Sequence, residues 1–301
     1  MPFLILIIGF ALLIKGADVF VEGASSIAKK FNVPSMIIGL TIVAMGTSAP
    51  EAAVSVTSSL AGQNDMSVAN VVGSNFFNVL VVLGVSSIIA KLPVQEETIK
   101  KDTPFLILVS ILLLVFGINL KLGRIEGLAL LGLFTYFLVN TIKSAKKATE
   151  DDSLETGETA IAIETQTSSE ISLPKTILVS IIGIVGIVLG GDMVVNSATS
   201  IATSLGMSAN LVGLTIVAVG TSLPEFVTSI VAIKKGETEI AIGNVIGSNL
   251  FNILLVLGLA AVINPISMSM LAFIDIIFMV LITLLLYMFM KKRNSLVKSQ
   301  G

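Results

Sequence analysis

The chain contains no cysteine and no histidine. Without cysteine there is no disulfide, no thiolate nucleophile and no sulfur-ligated metal site. Without histidine, imidazole ligation of zinc and histidine acid/base catalysis are excluded as well. Charge is also scarce: Asp, Glu, Lys and Arg make up 13% of the residues, against about 25% in a soluble domain. The chemistry left to the chain is that of oxygen, supplied by Asp, Glu, Ser, Thr, Asn and main-chain carbonyls. Oxygen donors suit hard cations such as Na⁺, Ca²⁺ and Mg²⁺. No nucleophile–base pair of the usual kind is left, so no catalytic residue and no organic cofactor is expected, and the chain does not read as an enzyme.

What the sequence has in abundance is apolar surface. Hydrophobic residues make up 54% of its 301 residues, and the mean hydropathy is +0.99. Apolar runs of about 20 residues recur along the length, each enough to cross a hydrocarbon core of roughly 30 Å. The fold class expected is an all-α membrane protein. The first apolar run lacks a basic segment before it and a small-residue cleavage site after it, so it reads as a retained helix rather than a signal peptide.

The chain is an internal duplication. Residues 39–51 (GLTIVAMGTSAPE) and 213–225 (GLTIVAVGTSLPE) agree at 11 of 13 positions, and 68–84 and 242–258 agree at 11 of 17. A constant offset of 174 residues relates Glu51 to Glu225, Ser74 to Ser248, Asn78 to Asn252, and Gly16-Ala17-Asp18 to Gly190-Gly191-Asp192. The first repeat, 1–142, carries apolar helices near 3–24, 35–60, 66–90, 103–119 and 124–142. The offset places four more near 175–198, 209–234, 240–263 and 276–290 in the second repeat, 174–301. A fifth would start near residue 298, where the chain stops; truncation before a tenth helix is favoured over a natural nine-span protein. Between the repeats, 143–173 is polar and holds seven acids. It reads as a flexible linker rather than a cation-binding regulatory domain.

Five spans per repeat is an odd number, so the second repeat must enter the membrane inverted. The basic residues test this. With sides alternating at each span, 15 of the 18 Lys and Arg fall on one face, only Lys121 and Arg124 on the other, and Lys15 within the first span. The positive-inside rule makes the rich face cytoplasmic. The N-terminus is then outside, the linker 143–173 cytoplasmic, and the protein resident in the cell membrane. Inverted repeats with interrupted helices are the architecture of secondary transporters.

Each second helix breaks mid-span at a G-T-S-x-P-E element, Gly46–Glu51 and Gly220–Glu225. Proline removes a main-chain N–H and frees carbonyls, which within a bilayer must find partners or line a polar cavity. The S-x-x-E spacing also fits a capping box starting a half-helix. A mid-membrane carboxylate is costly unless partnered and is a functional candidate by default; here it occurs twice. Each third helix carries G-S-N-x-x-N. Ser74 with Asn78, and Ser248 with Asn252, are four apart and share a helical face, suited to one site or to interhelical hydrogen bonds. Asn70 and Asn244 are secondary candidates. Lys15 and Asp18 are spaced for a local ion pair, Asp18 and Asp192 for a structural or gating role, and Asp275 for a span entry.

The paired G-T-S-x-P-E and G-S-N-x-x-N elements resemble the alpha-repeats of the cation/calcium exchanger superfamily, in particular the sodium/calcium exchanger family of prokaryotic type. The resemblance covers nearly the whole chain. It implies ten transmembrane helices in two inverted repeats (separately, the carrier is expected to be monomeric). It implies alternating access in which the first and sixth helices slide past the rest, with Na⁺ and Ca²⁺ as the partners besides lipid and no nucleic acid. Carried over by residue, it implies that Glu51 and Glu225 bind Ca²⁺ and share Na⁺. Thr47, Thr221, Ser48 and Ser222 would add main-chain or hydroxyl oxygen. Ser74 and Ser248 would complete Na⁺ sites, and the carbonyls of Ala44 and Ala218 would cap the ends. Asn78 and Asn252 join this set; many relatives carry Asp at the latter, including the potassium-dependent branch. Two carboxylates balance one Ca²⁺, whereas about three Na⁺ leave one net charge to cross, equivalent to about 2.3 kcal/mol per 100 mV. A Ca²⁺/H⁺ antiporter and a cation channel are the competing expectations. G-T-S-x-P-E departs from the G-N-A-x-E of the proton-coupled branch, and inverted duplication favours a carrier over a channel.

Overall fold

A computed structural model describes residues 2–62, 64–156, 173–207 and 218–301. The expected helix start near 209, the 213–217 run of the second motif and the acids within 157–172 lie outside the described residues. The helices in chain order are α1 (Pro2–Lys30), α2 (Ser35–Thr47), α3 (Ala49–Leu60), α4 (Met66–Ile89), α5 (Thr98–Asn119) and α6 (Arg124–Thr156). They continue as α7 (Leu173–Ser204), α8 (Ala218–Thr221), α9 (Leu223–Lys234), α10 (Thr238–Ile263) and α11 (Met270–Arg293). Among the described residues seven are long and apolar enough to cross a membrane, and the pair α2 and α3, bent by 48°, makes an eighth.

Most helices run past the apolar runs that announced them. Alpha1 continues from the expected end near 24 to Lys30, and α11 starts at Met270 rather than near 276. Polar residues at the ends of a span reach water while the backbone stays helical. The largest departure is α6. The sequence closes the fifth span at 142, yet the helix continues to Thr156 into the linker. Residues 143–156 are rich in Lys, Ala and Glu, which favour helix, and contain no Gly or Pro; polarity there ends the span without ending the helix.

Helices α1 and α7 are repeat mates that pack against each other antiparallel through glycine. A Cβ on Gly16 would stand 2.7 Å from the Ile187 nitrogen, and one on Gly190 2.5 Å from the Leu13 nitrogen. The two backbones touch, a contact only glycine allows. Gly243 and Gly247 bring α10 equally close to α2, where added Cβ atoms would lie 2.5 Å from the Met36 and Leu40 carbonyls. Alpha10 is the most enclosed span, and almost every residue from Ile240 to Leu254 is fully buried.

Two short antiparallel clasps join the repeats. Strand β1 (Leu92–Pro93) pairs with β4 (Ser295–Leu296), and β2 (Lys121–Leu122) with β3 (Ile266–Ser267). The 174-residue offset maps β1 onto β3 and β2 onto β4, so each clasp takes one strand from each repeat. The segment aligned with the entry to the fifth helix, 298–301, opens with one 3-10 turn, Lys298–Gln300.

Ion pairs gather where α1 ends. Asp18 lies 3.9 Å from Lys15, as its spacing suggested, but its closer partner is Lys235, at 2.8 Å. Lys235 also reaches Glu22 at 3.3 Å, and Glu237 pairs with Lys29 at 3.3 Å. The hydrogen bond that Lys235 donates to Asp18 raises the ammonium pKa above its ordinary value. These contacts tie α1 to the loop after α9, a long-range pairing that local spacing does not show. Asp192 and Asp275 are exposed.

Candidate functional site

Both G-T-S-x-P-E elements break their helices at the serine. Ser48 (φ −84°, ψ 9°) and Ser222 (φ −92°, ψ 5°) leave the helical region, and Pro50 and Pro224 stand in the first turns of α3 and α9. Proline is tolerated there because a first-turn N–H has no helical partner to lose. Each motif therefore starts a half-helix, as its spacing suggests. The capping box does not form: neither serine caps its own helix. Their hydroxyls turn to the other repeat instead.

Ser48 Oγ donates to Glu225 Oε1 at 2.8 Å, and Ser222 Oγ donates to Glu51 Oε1 at 3.2 Å. The third helices supply the second donor to the same oxygens. Ser74 Oγ donates to Glu51 Oε1 at 3.3 Å, and Ser248 Oγ to Glu225 Oε1 at 3.4 Å. Each carboxylate thus holds one hydroxyl from its own repeat and one from the other. Both glutamates and all four serines are 0–1% exposed, so the cluster is closed to solvent in this conformation.

Asn78 and Asn252 lie in π-helical turns, Phe77–Leu83 and Asn252–Val256. Such turns inside α-helices are frequent at functional sites. Asn78 Nδ2 donates to Asn249 Oδ1 at 3.0 Å, and Asn252 Nδ2 to Asn75 Oδ1 at 3.1 Å. Among the described residues, four fully buried acceptors here receive no hydrogen bond: Glu51 Oε2, Glu225 Oε2 and the two amides' own oxygens, Asn78 Oδ1 and Asn252 Oδ1. They form two pairs of repeat mates. A buried acceptor without a donor is costly in a folded protein, and four in one symmetric set are matched by a species that only accepts lone pairs, a cation.

The remaining expected residues flank the carboxylates. The Thr47 hydroxyl lies 3.0 Å from Asn244 Oδ1 and 3.1 Å from the Val43 carbonyl, and Thr221 Oγ1 lies 3.4 Å from Asn70 Oδ1. Their hydroxyl protons are thus directed at protein acceptors, leaving lone pairs and carbonyls for an ion. The Ala44 carbonyl already accepts the Ser48 N–H at 3.0 Å. Ala218 opens α8 next to residues outside the described set.

Asn70 and Asn244 have a larger part than their sequence context gave them. Asn70 Nδ2 donates to the Glu51 carbonyl at 3.3 Å and to Ser55 Oγ at 3.0 Å, and Asn244 Nδ2 does the same to the Glu225 carbonyl (3.4 Å) and Ser229 Oγ (3.1 Å). They hold the half-helices that carry the glutamates. Their conservation between the repeats, at the common offset, was the available signal. Among the described residues no group of three or more acidic, His or Cys side chains could hold a metal; two carboxylates and neutral oxygens make up the whole donor set.

A profile of the family described as sodium/calcium exchanger protein matches residues 1–143 and 175–299. The putative antiporter CaxA of Alkalimonas amylolytica is 43% identical over 263 residues, spanning 86% of this chain and 80% of its own. The sodium/calcium exchanger MaX1 of Methanosarcina acetivorans is 33% identical over 316 residues, spanning 95% and 90%. A solved structure of the sodium-calcium exchanger NCX_Mj superimposes with a TM-score of 0.85 at 31% identity, covering all of this chain and 93% of that one.

Proposed function

Because the chain belongs to the sodium/calcium exchanger family, a family of multi-pass membrane transporters rather than enzymes, we propose that it exchanges Na⁺ for Ca²⁺ at the Glu51–Glu225 cluster. The observation that carries this reading is the set of four unpartnered buried oxygens from Glu51, Glu225, Asn78 and Asn252. Two are anionic, so the set balances one Ca²⁺. About three Na⁺ per Ca²⁺ would make each cycle carry one net charge, driven by about 2.3 kcal/mol per 100 mV. Ser48, Ser74, Ser222 and Ser248 contribute hydroxyl lone pairs, Thr47 and Thr221 hydroxyl or main-chain oxygen, and the carbonyls of Ala44 and Ala218 close the two ends. Antiparallel packing of the repeat mates α1 and α7 supports an inverted arrangement with the site at the repeat interface. The pair α1 and α7 is the element that moves in alternating access, and the monomer is the working unit.

Ca²⁺ uptake into Na⁺-loaded proteoliposomes tests the coupling, with external K⁺ or choline and the membrane potential clamped. Uptake is expected to require internal Na⁺ and to be equal in K⁺ and choline. Asn252 underlies the second expectation: with an amide there, K⁺ beside Ca²⁺ would leave uncompensated charge in a buried site. Uptake that follows a pH gradient without Na⁺ would make this a proton-coupled antiporter, and a requirement for K⁺ would move it to potassium-dependent exchange.

Orientation has its own test. We place the N-terminus outside and the 143–173 linker in the cytoplasm, on the basic face. The chain has no native cysteine, so Ser153→Cys gives a single label site. A membrane-impermeant thiol reagent is expected to modify it only from the cytoplasmic side. Labelling from outside in sealed right-side-out vesicles would reverse the topology.

A further inference from the structure

We propose that Asn75 is a positioning residue that fixes which face of the Asn252 amide meets the cation, an inference that rests on the Glu51–Glu225 site being the transport site. A carboxamide is symmetric in shape and opposite in polarity on its two sides. Asn252 offers the site an acceptor only if its NH₂ points away. The side-chain hydrogen bond that Asn252 makes is to another helix, not to its own.

The decision begins at a group with no choice. The main-chain carbonyl of Asn249 can only accept. Asn75 Nδ2 faces it at 3.4 Å, with Met279 Sδ, another acceptor, at 3.5 Å. Turning Asn75 over would set its oxygen against that carbonyl. With its NH₂ held there, Asn75 Oδ1 faces Asn252 and accepts from Nδ2 at 3.1 Å. Asn252 Oδ1 is thereby directed away from Asn75 and is the oxygen left without a protein donor. Polarity passes from a carbonyl in α10, through a side chain of α4, back to a ligand in α10. Asn75 and Asn252 are 2% and 0% exposed, so neither bond faces bulk water in this conformation.

The relay also accounts for an amide at 252. A carboxylate there would meet Asn75 Oδ1, and relieving that contact would turn Asn75 against the Asn249 carbonyl. Asn75 therefore disfavours an ionised Asp at position 252, and with Asn252 in place the cluster stays at two negative charges.

Asn75→Leu keeps the branched outline, at a larger volume, and deletes the acceptor. Losing one oriented ligand oxygen is expected to raise the Kd for Ca²⁺, read by calorimetry on purified protein, by about tenfold, the size of one hydrogen bond of 1–1.5 kcal/mol. The apparent KM for Ca²⁺ uptake should rise alike while maximal rate stays within about twofold. In an Asn252→Leu background the same change should add nothing, because the amide it orients is gone. An unchanged Kd, or an additive loss in the double variant, overturns the inference. Should Asn75→Leu not fold, Asn75→Ala carries the same expectations; if neither gives monodisperse protein, Asn75 serves folding and the inference falls. Glu51→Gln, measured alongside, separates the two levels: retained Ca²⁺ binding there defeats the site itself, whereas loss there with an unchanged Asn75→Leu defeats only the positioning role.

Discussion

Glu51→Gln and Glu225→Gln should each lower Na⁺-driven Ca²⁺ uptake by more than about a hundredfold. Glutamine keeps the shape and can keep one role: its oxygen can still accept from Ser222 and Ser74 at position 51, or from Ser48 and Ser248 at position 225. What changes is the other terminal atom. Glu51 Oε2 and Glu225 Oε2 face the interior without a donor, and an amide puts an NH₂ there. One negative charge is lost and two donors are aimed where a cation would sit. Removing one partner of a buried charge pair costs about 2–5 kcal/mol, and 2.7 kcal/mol is already a factor of about a hundred. Uptake in reconstituted vesicles, normalised to protein, is the measurement. Near-native rates in both single variants would remove the glutamates from the transport site. The reciprocal hydroxyls add a graded comparison: Ser48→Ala or Ser222→Ala deletes one neutral donor and should cost far less, about tenfold or under.

The repeat offset made much of this site legible. It singled out Glu51 and Glu225 and paired Ser74 with Ser248 and Asn78 with Asn252 before any coordinates. Helix spacing put Ser74 and Asn78 on one face, and the structure has Ser74 on Glu51. Local reasoning failed where the partner lies in the other repeat. The capping-box spacing of Ser48 and Glu51 is real, yet the Ser48 hydroxyl finds the carboxylate of Glu225, 177 positions away, which a spacing rule within one helix does not weigh. The same holds for Asp18, whose neighbour Lys15 was visible and whose closer partner Lys235 was not. Nor does sequence tell an amide whose oxygen is engaged from one whose oxygen is open. Asn75 and Asn78 share one motif and both donate Nδ2 to Asn249, but Asn75 Oδ1 accepts from Asn252 whereas Asn78 Oδ1 has no donor among the described residues. Helix ends were misjudged wherever polar residues continue a helix beyond the bilayer, as in α6.

The sharpest packing contrast lies in two adjacent glycines of α7. Gly190→Ala should reduce uptake at least tenfold, and Gly191→Ala should stay within about twofold of the unmodified protein. A Cβ at 190 would lie 2.5 Å from the Leu13 nitrogen and 2.8 Å from the Gly9 carbonyl oxygen, both main-chain atoms of α1 that no rotamer change can move. The helices would have to part along their whole contact, and overpacking of this kind costs about 1–3 kcal/mol or more. A Cβ at 191 would meet the Pro224 ring at 3.4 Å, an ordinary contact. The first repeat already contains this comparison: Gly16 is the mate of Gly190, and the mate of Gly191 is Ala17, which carries the extra methyl and is fully buried. Uptake per reconstituted molecule, together with the thermal midpoint in detergent, reads both variants. If α1 and α7 move as a joined pair past the Glu51–Glu225 cluster, separating them at 190 lowers the midpoint and the rate together. Equal rates for the two alanine variants would show that the α1–α7 contact yields to an added methyl, and the pair could not then be the rigid element that alternating access requires.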